Sequence, residues 1–202
     1  MSMIRRSLRT VLALALCLPL LVSCASSTTA SVPVGCEQAG SPCLQGKANV
    51  ELTTSKGSIT LELDGDAAPV TAGNFLDLVK RGTYNGTVFH RVVRDPVPFV
   101  VQGGDPASSD PATPKSQYGT GSFVDPSTGQ ARFVPLELAF KGEDQPRYGR
   151  VVSNPTELLQ LKLSHERGAL AMARSQAPDS ASAQFYIALK PLPELDGRYA
   201  VF

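Results

Sequence analysis

Phe89-His90-Arg91 and, after a proline-broken loop, Phe99-Val100-Val101-Gln102-Gly103-Gly104-Asp105 form the stretch on which the reading of this chain turns. It sets one guanidinium and one side-chain amide among apolar and aromatic residues, and a glycine pair turns the chain directly afterwards. No paired carboxylate and no His/Cys cluster accompanies it. The glycines lack the following Lys and Ser/Thr of a phosphate loop. One fixed cation, one amide and an apolar wall suit gripping and polarising a peptide carbonyl better than breaking a covalent bond. The pattern therefore favours peptide-bond isomerisation or peptide binding.

Outward from this stretch the chain reads as many short strands. Ile59, Leu61 and Leu63 alternate with Ser58, Thr60 and Glu62, which predicts a strand with one buried face. Ser55-Lys56-Gly57 offers a turn back to Val50-Glu51-Leu52. Pro69 supplies a first helical position, Val70, Phe75, Leu76 and Val79 share a helical face, and Gly82 offers a left-handed cap. Further strands are expected at Val88–Val93, Phe99–Gln102, Ala169–Ala173, Phe185–Leu189 and Ala200–Phe202. With 16 prolines and 17 glycines to turn the chain, this points to a mainly β sandwich or closed barrel with one or two helices. Asn154-Pro155-Thr156-Glu157 reads as a helix start, whereas Leu159, Leu161 and Leu163 alternate like a strand; both readings stay open.

The N-terminus belongs to a different part of the argument. Arg5, Arg6 and Arg9 precede an apolar run from Val11 to Val22, followed by Ser23-Cys24. This is the pattern of a secretory signal over 1–23, and Leu21 to Cys24 resembles a lipobox, which predicts lipidation at Cys24. The run of 12 residues is too short to span a bilayer, which needs roughly 20. Residues 24–47, rich in Ser, Thr, Ala, Gly and Pro, read as a flexible tether, and 48–202 as the folded domain. The expected location is extracytoplasmic, anchored by lipid to a bacterial membrane, with the outer membrane favoured where there are two. Without the signal, 16 Lys+Arg face 18 Asp+Glu and no basic run remains, so no nucleic-acid partner is expected. Export makes a disulfide between Cys36 and Cys43 the expectation.

Other polar residues carry plainer readings. His90 reads as structural, for no carboxylate or nucleophile sits beside it in sequence. His165, in Ser164-His165-Glu166-Arg167, reads as part of a solvated loop. Two histidines and two tail cysteines do not make a zinc site or a catalytic triad.

Taken in order, Phe89-His90-Arg91, Phe99 to Asp105, Leu170-Ala171-Met172-Ala173-Arg174, Gln184-Phe185-Tyr186-Ile187 and Leu195-Asp196-Gly197-Arg198-Tyr199-Ala200-Val201-Phe202 resemble the successive signatures of the cyclophilins. Ala72-Gly73-Asn74-Phe75 fits as well, and the resemblance runs from about Asn49 to Phe202. It implies a peptidyl-prolyl cis-trans isomerase on a closed eight-stranded antiparallel β-barrel with capping helices. Catalytic roles fall on Arg91 and Gln102. The proline pocket falls on Phe99, Met172, Tyr186 and Leu195, with Val100 where a methionine is common. Ala173 and Arg174 would meet the residue before proline, and Tyr199 stands where many members have histidine. The implied protein is a monomer acting on proline-containing polypeptides, with no cofactor and no metal.

The chain also departs from the family pattern. Extra residues fall within Arg94–Pro98, so Phe99 reaches the pocket only if that loop bulges outward. Glu194 stands where sensitive members carry the tryptophan that contacts cyclosporin. The 106–164 region is a long insertion, and the C-terminal part of the barrel is expected to be missing from this chain. A non-catalytic proline-peptide-binding or chaperone-like lipoprotein is the alternative reading.

Overall fold

The computed structural model describes residues 36 and 42–202. The signal segment, Cys24 and most of the expected tether lie outside the described residues. Strands β1 (Lys47–Thr54) and β2 (Gly57–Asp64) form an antiparallel hairpin whose register runs from Lys47↔Asp64 to Thr54↔Gly57. Leu61 and Leu63 face inward, but Ile59, expected on the same buried face, is 39% exposed because it lies near the hairpin tip.

Helix α1 (Pro69–Lys80) follows, with Pro69 in its first turn. Its end is closed by two bonds, from Gly82 N–H to Val79 O and from Thr83 N–H to Leu78 O. That pairing requires a left-handed residue after the cap, and Gly82 supplies it at φ +72°. The helix buries Val70, Ala72, Phe75 and Leu78. Phe75 lies at the centre of the core, its ring 5.0 Å from that of Tyr84, 5.4 Å from Phe185 and 5.2 Å from Phe202.

β3 (Arg91–Val92) and β4 (Val100–Gly103) come next. The 106–164 region then contributes two small pairs, β5 (Val124–Asp125) with β6 (Gln130–Ala131) and β7 (Glu137–Leu138) with β8 (Arg147–Tyr148), and the one-turn helix α2 (Pro155–Leu158). Asn154 caps α2 through its side chain, accepting from the Thr156 and Glu157 N–H groups. The helix reading of this segment therefore holds for one turn. Leu159 is then 74% exposed, and Leu161 makes a β-bridge to Phe140. Leu136, Leu138, Phe140, Val152 and Leu161 form a second apolar cluster, joined by Ala200 from the C-terminal segment.

β9 (Leu170–Met172) and β10 (Phe185–Ala188) complete a four-stranded antiparallel sheet of order β3-β4-β10-β9. Residues 200–202 extend it, since Met172 N–H donates to Ala200 O and Phe202 N–H to Leu170 O. Among the described residues the ladders form this sheet and three two-stranded pairs; they do not run round as one ring of eight. The packed body also starts upstream of the expected boundary at 48. Leu44 N–H donates to Pro69 O at 3.0 Å, and a disulfide joins Cys36 to Cys43, with Cα atoms 5.6 Å apart.

Candidate functional site

Strand register decides which side chains share a face. Directly paired residues of antiparallel strands point the same way, so Arg91↔Gln102, Gln102↔Tyr186 and Tyr186↔Ala171 make one row across the sheet. Arg91 donates from Nη1 to Gln102 Oε1 at 3.3 Å. Gln102 Nε2 donates on to Gln184 Oε1 at 3.2 Å, and Gln184 Nε2 to Gly121 O at 2.8 Å. The amide that faces Arg91 is thus held in one orientation by a chain of donors and acceptors.

Beside that row lies an apolar cluster. Phe99, Val100, Ala173, Tyr186, Leu195 and Tyr199 pack together with Ala171 and Leu192. The Arg91 guanidinium stands 5.7 Å from the Phe99 ring centroid. Phe99 reaches this position because Arg94–Pro98 is exposed throughout, looping outward, while Phe99 N–H donates to Val93 O at 2.9 Å across its base. Arg174 spans two loops, donating to Arg198 O at 2.7 and 2.9 Å, and its guanidinium lies 4.8 Å over the Tyr199 ring. A cleft of about 340 Å³ continues from Gln102 past Ala173, Arg174 and Gln184 to Gly119 and Gly121.

Met172 is not part of this assembly. It pairs with Phe185, one residue out of phase with the Ala171–Tyr186 pair, and so points to the opposite face, where it is 1% exposed in the core with Phe75 and Phe185. Its assignment to the proline pocket is corrected accordingly; Val100 and Ala173 occupy the wall instead. A larger recess of about 680 Å³ lies on that core side between Leu52, Phe75, Tyr84 and Phe89, and none of the sequence-marked site residues lines it.

Three residues that sequence reasoning passed over hold the site in shape. Gln184 belongs to a quoted motif but carried no role; it is the link that orients Gln102. Asp105 is fully buried and accepts from the N–H groups of Ala107, Gly119 and Gly121, which fixes the loop lining the cleft. His165, expected in a solvated loop, is only 2% exposed and is bonded to Asp196 and to the Tyr186 hydroxyl. His90 packs against Gly119, and burial is the main cause that holds its pKa below the usual histidine value.

What the arrangement can do follows from these distances. A guanidinium with free donors beside an oriented amide can hold a carbonyl and a developing lone pair, and the adjoining apolar cluster can grip a small ring. Residues 49–202 match the cyclophilin type peptidyl-prolyl cis-trans isomerase/CLD family. A Synechocystis protein named as a thylakoid lumen peptidyl-prolyl cis-trans isomerase is 39% identical over 176 residues, which cover 82% of this chain and 43% of that protein. The chloroplastic isomerase CYP38 of Arabidopsis thaliana is 40% identical over 182 residues, covering 80% of this chain and 38% of that protein. This chain thus spans about two fifths of the length of each. A crystal structure of a Cryptosporidium parvum cyclophilin-type isomerase, obtained in the presence of the dipeptide Ala-Pro, matches with a TM-score of 0.54 at 27% identity, over 77% of this chain and 76% of that one.

Proposed function

The chain belongs to the cyclophilin-type peptidyl-prolyl cis-trans isomerases and has their fold, mainly β with two helices, and from this we propose that it accelerates rotation about X-Pro bonds in exported polypeptides. The observation that carries the reading is the Arg91–Gln102 pair at 3.3 Å, standing beside the Phe99, Leu195 and Tyr199 wall.

Resonance gives the X-Pro bond its double-bond character and puts a barrier of ~18–20 kcal/mol in the way of rotation. At the twisted midpoint that resonance is lost, and the proline nitrogen gains a basic lone pair. An N–H of Arg91 donated to that nitrogen stabilises the twisted state more than either planar one, which is the condition for a faster rate. Gln102, kept in orientation by Gln184, holds the neighbouring peptide group. Phe99, Val100, Leu195, Tyr186 and Tyr199 grip the proline ring while the other side turns, with Ala173 and Arg174 along the residue before it. No bond to the enzyme forms or breaks in this scheme.

Closure of the strands into an eight-stranded barrel belongs to the same proposal, supported by the Leu61 and Leu63 face of β2, which shares one core with Phe75, Phe185 and Phe202. So does export, supported by Arg5 to Arg9, the Val11–Val22 run and Cys24, with the lipid on Cys24 as the membrane anchor. Mass spectrometry of the mature N-terminus tests the anchor, with acylated Cys24 expected and an unmodified start at another residue refuting it. The activity is tested by NMR exchange on an Ala-Pro peptide. Accelerated interconversion without net chemical change supports the isomerase, whereas saturable peptide binding with unchanged exchange rates turns the reading to a non-catalytic binding module.

A further inference from the structure

The buried His165 ends a line of hydrogen bonds that runs into the wall of the candidate pocket. Asp196 Oδ1 lies 2.7 Å from His165 Nδ1 and also accepts the His165 backbone N–H at 2.8 Å. On the other side of the ring, Nε2 lies 2.8 Å from the Tyr186 hydroxyl oxygen. The planes of the two rings are almost parallel, 12° apart, with centroids separated by 5.9 Å.

These contacts assign the protons. An ionised carboxylate only accepts, so Nδ1 carries the hydrogen and donates to Asp196. The neutral ring then presents a lone pair at Nε2, and the Tyr186 O–H donates to it. Burial favours this neutral form and lowers the His165 pKa, outweighing the opposing pull of Asp196 and Glu194. The charged or titratable groups that face the imidazole are Asp196 and Glu194 from the 193–196 turn and Tyr186 from β10. Tyr186 itself is 5% exposed, and the edge of Tyr199 meets it at 5.8 Å and 85°. The ring is therefore held at its hydroxyl by His165 and at its side by Tyr199.

We propose that His165, backed by Asp196, is a positioning residue: it accepts the Tyr186 hydroxyl proton, holds that ring as the inner wall of the proline pocket, and so makes proline-peptide affinity depend on its own protonation. This rests on the reading of the cluster as a proline site. Protonation puts a hydrogen on Nε2, two donors then oppose each other, and Tyr186 must turn its O–H towards a site that offers no acceptor among the bonds described. The wall loosens, and substrate is held less tightly. The effect falls on KM more than on kcat, because among the described residues the side-chain bonds of Arg91 and Gln102 run to each other and to Gln184, and none runs to Tyr186 or His165.

The test uses the mature chain and an Ala-Pro tetrapeptide, with exchange rates and peptide Kd measured by NMR from pH 5 to pH 8. The ¹⁵N shifts of His165 are followed in the same samples. In the wild type, KM and Kd should rise roughly fivefold, the worth of about one neutral hydrogen bond, across the pH range in which His165 gains its proton. His165→Ala should show the higher Kd at pH 7.5 and no acid limb. His165→Gln, whose amide oxygen can accept the tyrosine proton, should recover part of the affinity. Asp196→Asn keeps an amide oxygen that can accept from both the backbone N–H and Nδ1–H, so the hydrogen should stay on Nδ1 and Kd change little, whereas Asp196→Ala removes that acceptor and should raise Kd. A wild-type Kd that stays flat while His165 titrates overturns the proposal, whether or not His165→Ala folds. Absence of catalysed exchange at pH 7.5, with Kd still following His165, refutes the isomerase reading and leaves the positioning role standing. Absence of both exchange and binding overturns the two together.

Discussion

Glu137 offers a quantitative test of how β7 is joined to α1. The side chain is 1% exposed on β7, and its carboxylate accepts the N–H of Val70 at 3.1 Å and of Thr71 at 2.8 Å. These are first-turn donors of α1, a helix whose N-cap, Ala68, offers no side-chain acceptor. Glu137→Ala leaves both donors buried without a partner. Each such loss costs ~1–3 kcal/mol, and relief of the carboxylate's own desolvation offsets part of it, for a net destabilisation of roughly 2–4 kcal/mol. At ~2–4 °C per kcal/mol for a domain of this size, Tm should fall by roughly 5–15 °C. Glu137→Gln keeps an acceptor oxygen and should lose about 1 kcal/mol. Burial raises the Glu137 pKa despite the two N–H donors, so the folded protein takes up this proton more readily than the unfolded chain. Stability contributed by Glu137 should therefore rise as pH falls from the raised value towards the ordinary 4.5, a slope that Glu137→Gln lacks. Urea denaturation from pH 4 to pH 8 reads both effects. A loss below ~1 kcal/mol in Glu137→Ala, or equal losses in the two variants, would refute capping by acceptor oxygens.

Two further outcomes follow from packing and from the site. Gly104 has φ +79°, and a Cβ there would lie 2.7 Å from the Phe185 ring and 2.9 Å from Ala183 O; Gly104→Ala should cost ~2–4 kcal/mol from strain and overpacking in urea denaturation, and unchanged stability would contradict the stated contact. Glu194 is exposed in the 193–195 turn beside Leu195, so cyclosporin should inhibit weakly and Glu194→Trp should tighten inhibition, because an indole restores apolar contact; tight inhibition of the unmodified chain would contradict this.

Much of the site was legible because Arg91 and Gln102 stand out as polar residues within apolar runs, and the resemblance to the cyclophilins set Phe99, Tyr186 and Leu195 beside them. Arg91, Gln102 and Tyr186 each sit in an apolar run, and the structure brings them into one row. The resemblance alone put Met172 in the pocket, and the pattern along β9 could not correct it. Leu170, Ala171 and Met172 are apolar at every position, so alternation cannot tell the faces apart, and pairing with β10 decides. His165 had no local signal at all. Its neighbours Glu166 and Arg167 are exposed, and its partners Tyr186 and Asp196 are 21 and 31 residues away. Glu137 likewise acts on residues 66 and 67 positions earlier. The strands β5 to β8 are two residues each, too short for any period to show.

The central claim is that Arg91 stabilises the twisted X-Pro bond, and the measurement that bears on it most directly is catalysed exchange on an Ala-Pro peptide by Arg91→Ala beside the wild type. Loss of one donor aimed at the transition state should lower kcat/KM roughly 100-fold, about 2.7 kcal/mol, while peptide Kd changes far less. Arg91→Lys should recover little, because an ammonium lacks the planar fork. An Arg91→Ala protein with an unchanged circular dichroism spectrum and exchange rates within about threefold of the wild type, under 1 kcal/mol, would contradict the account.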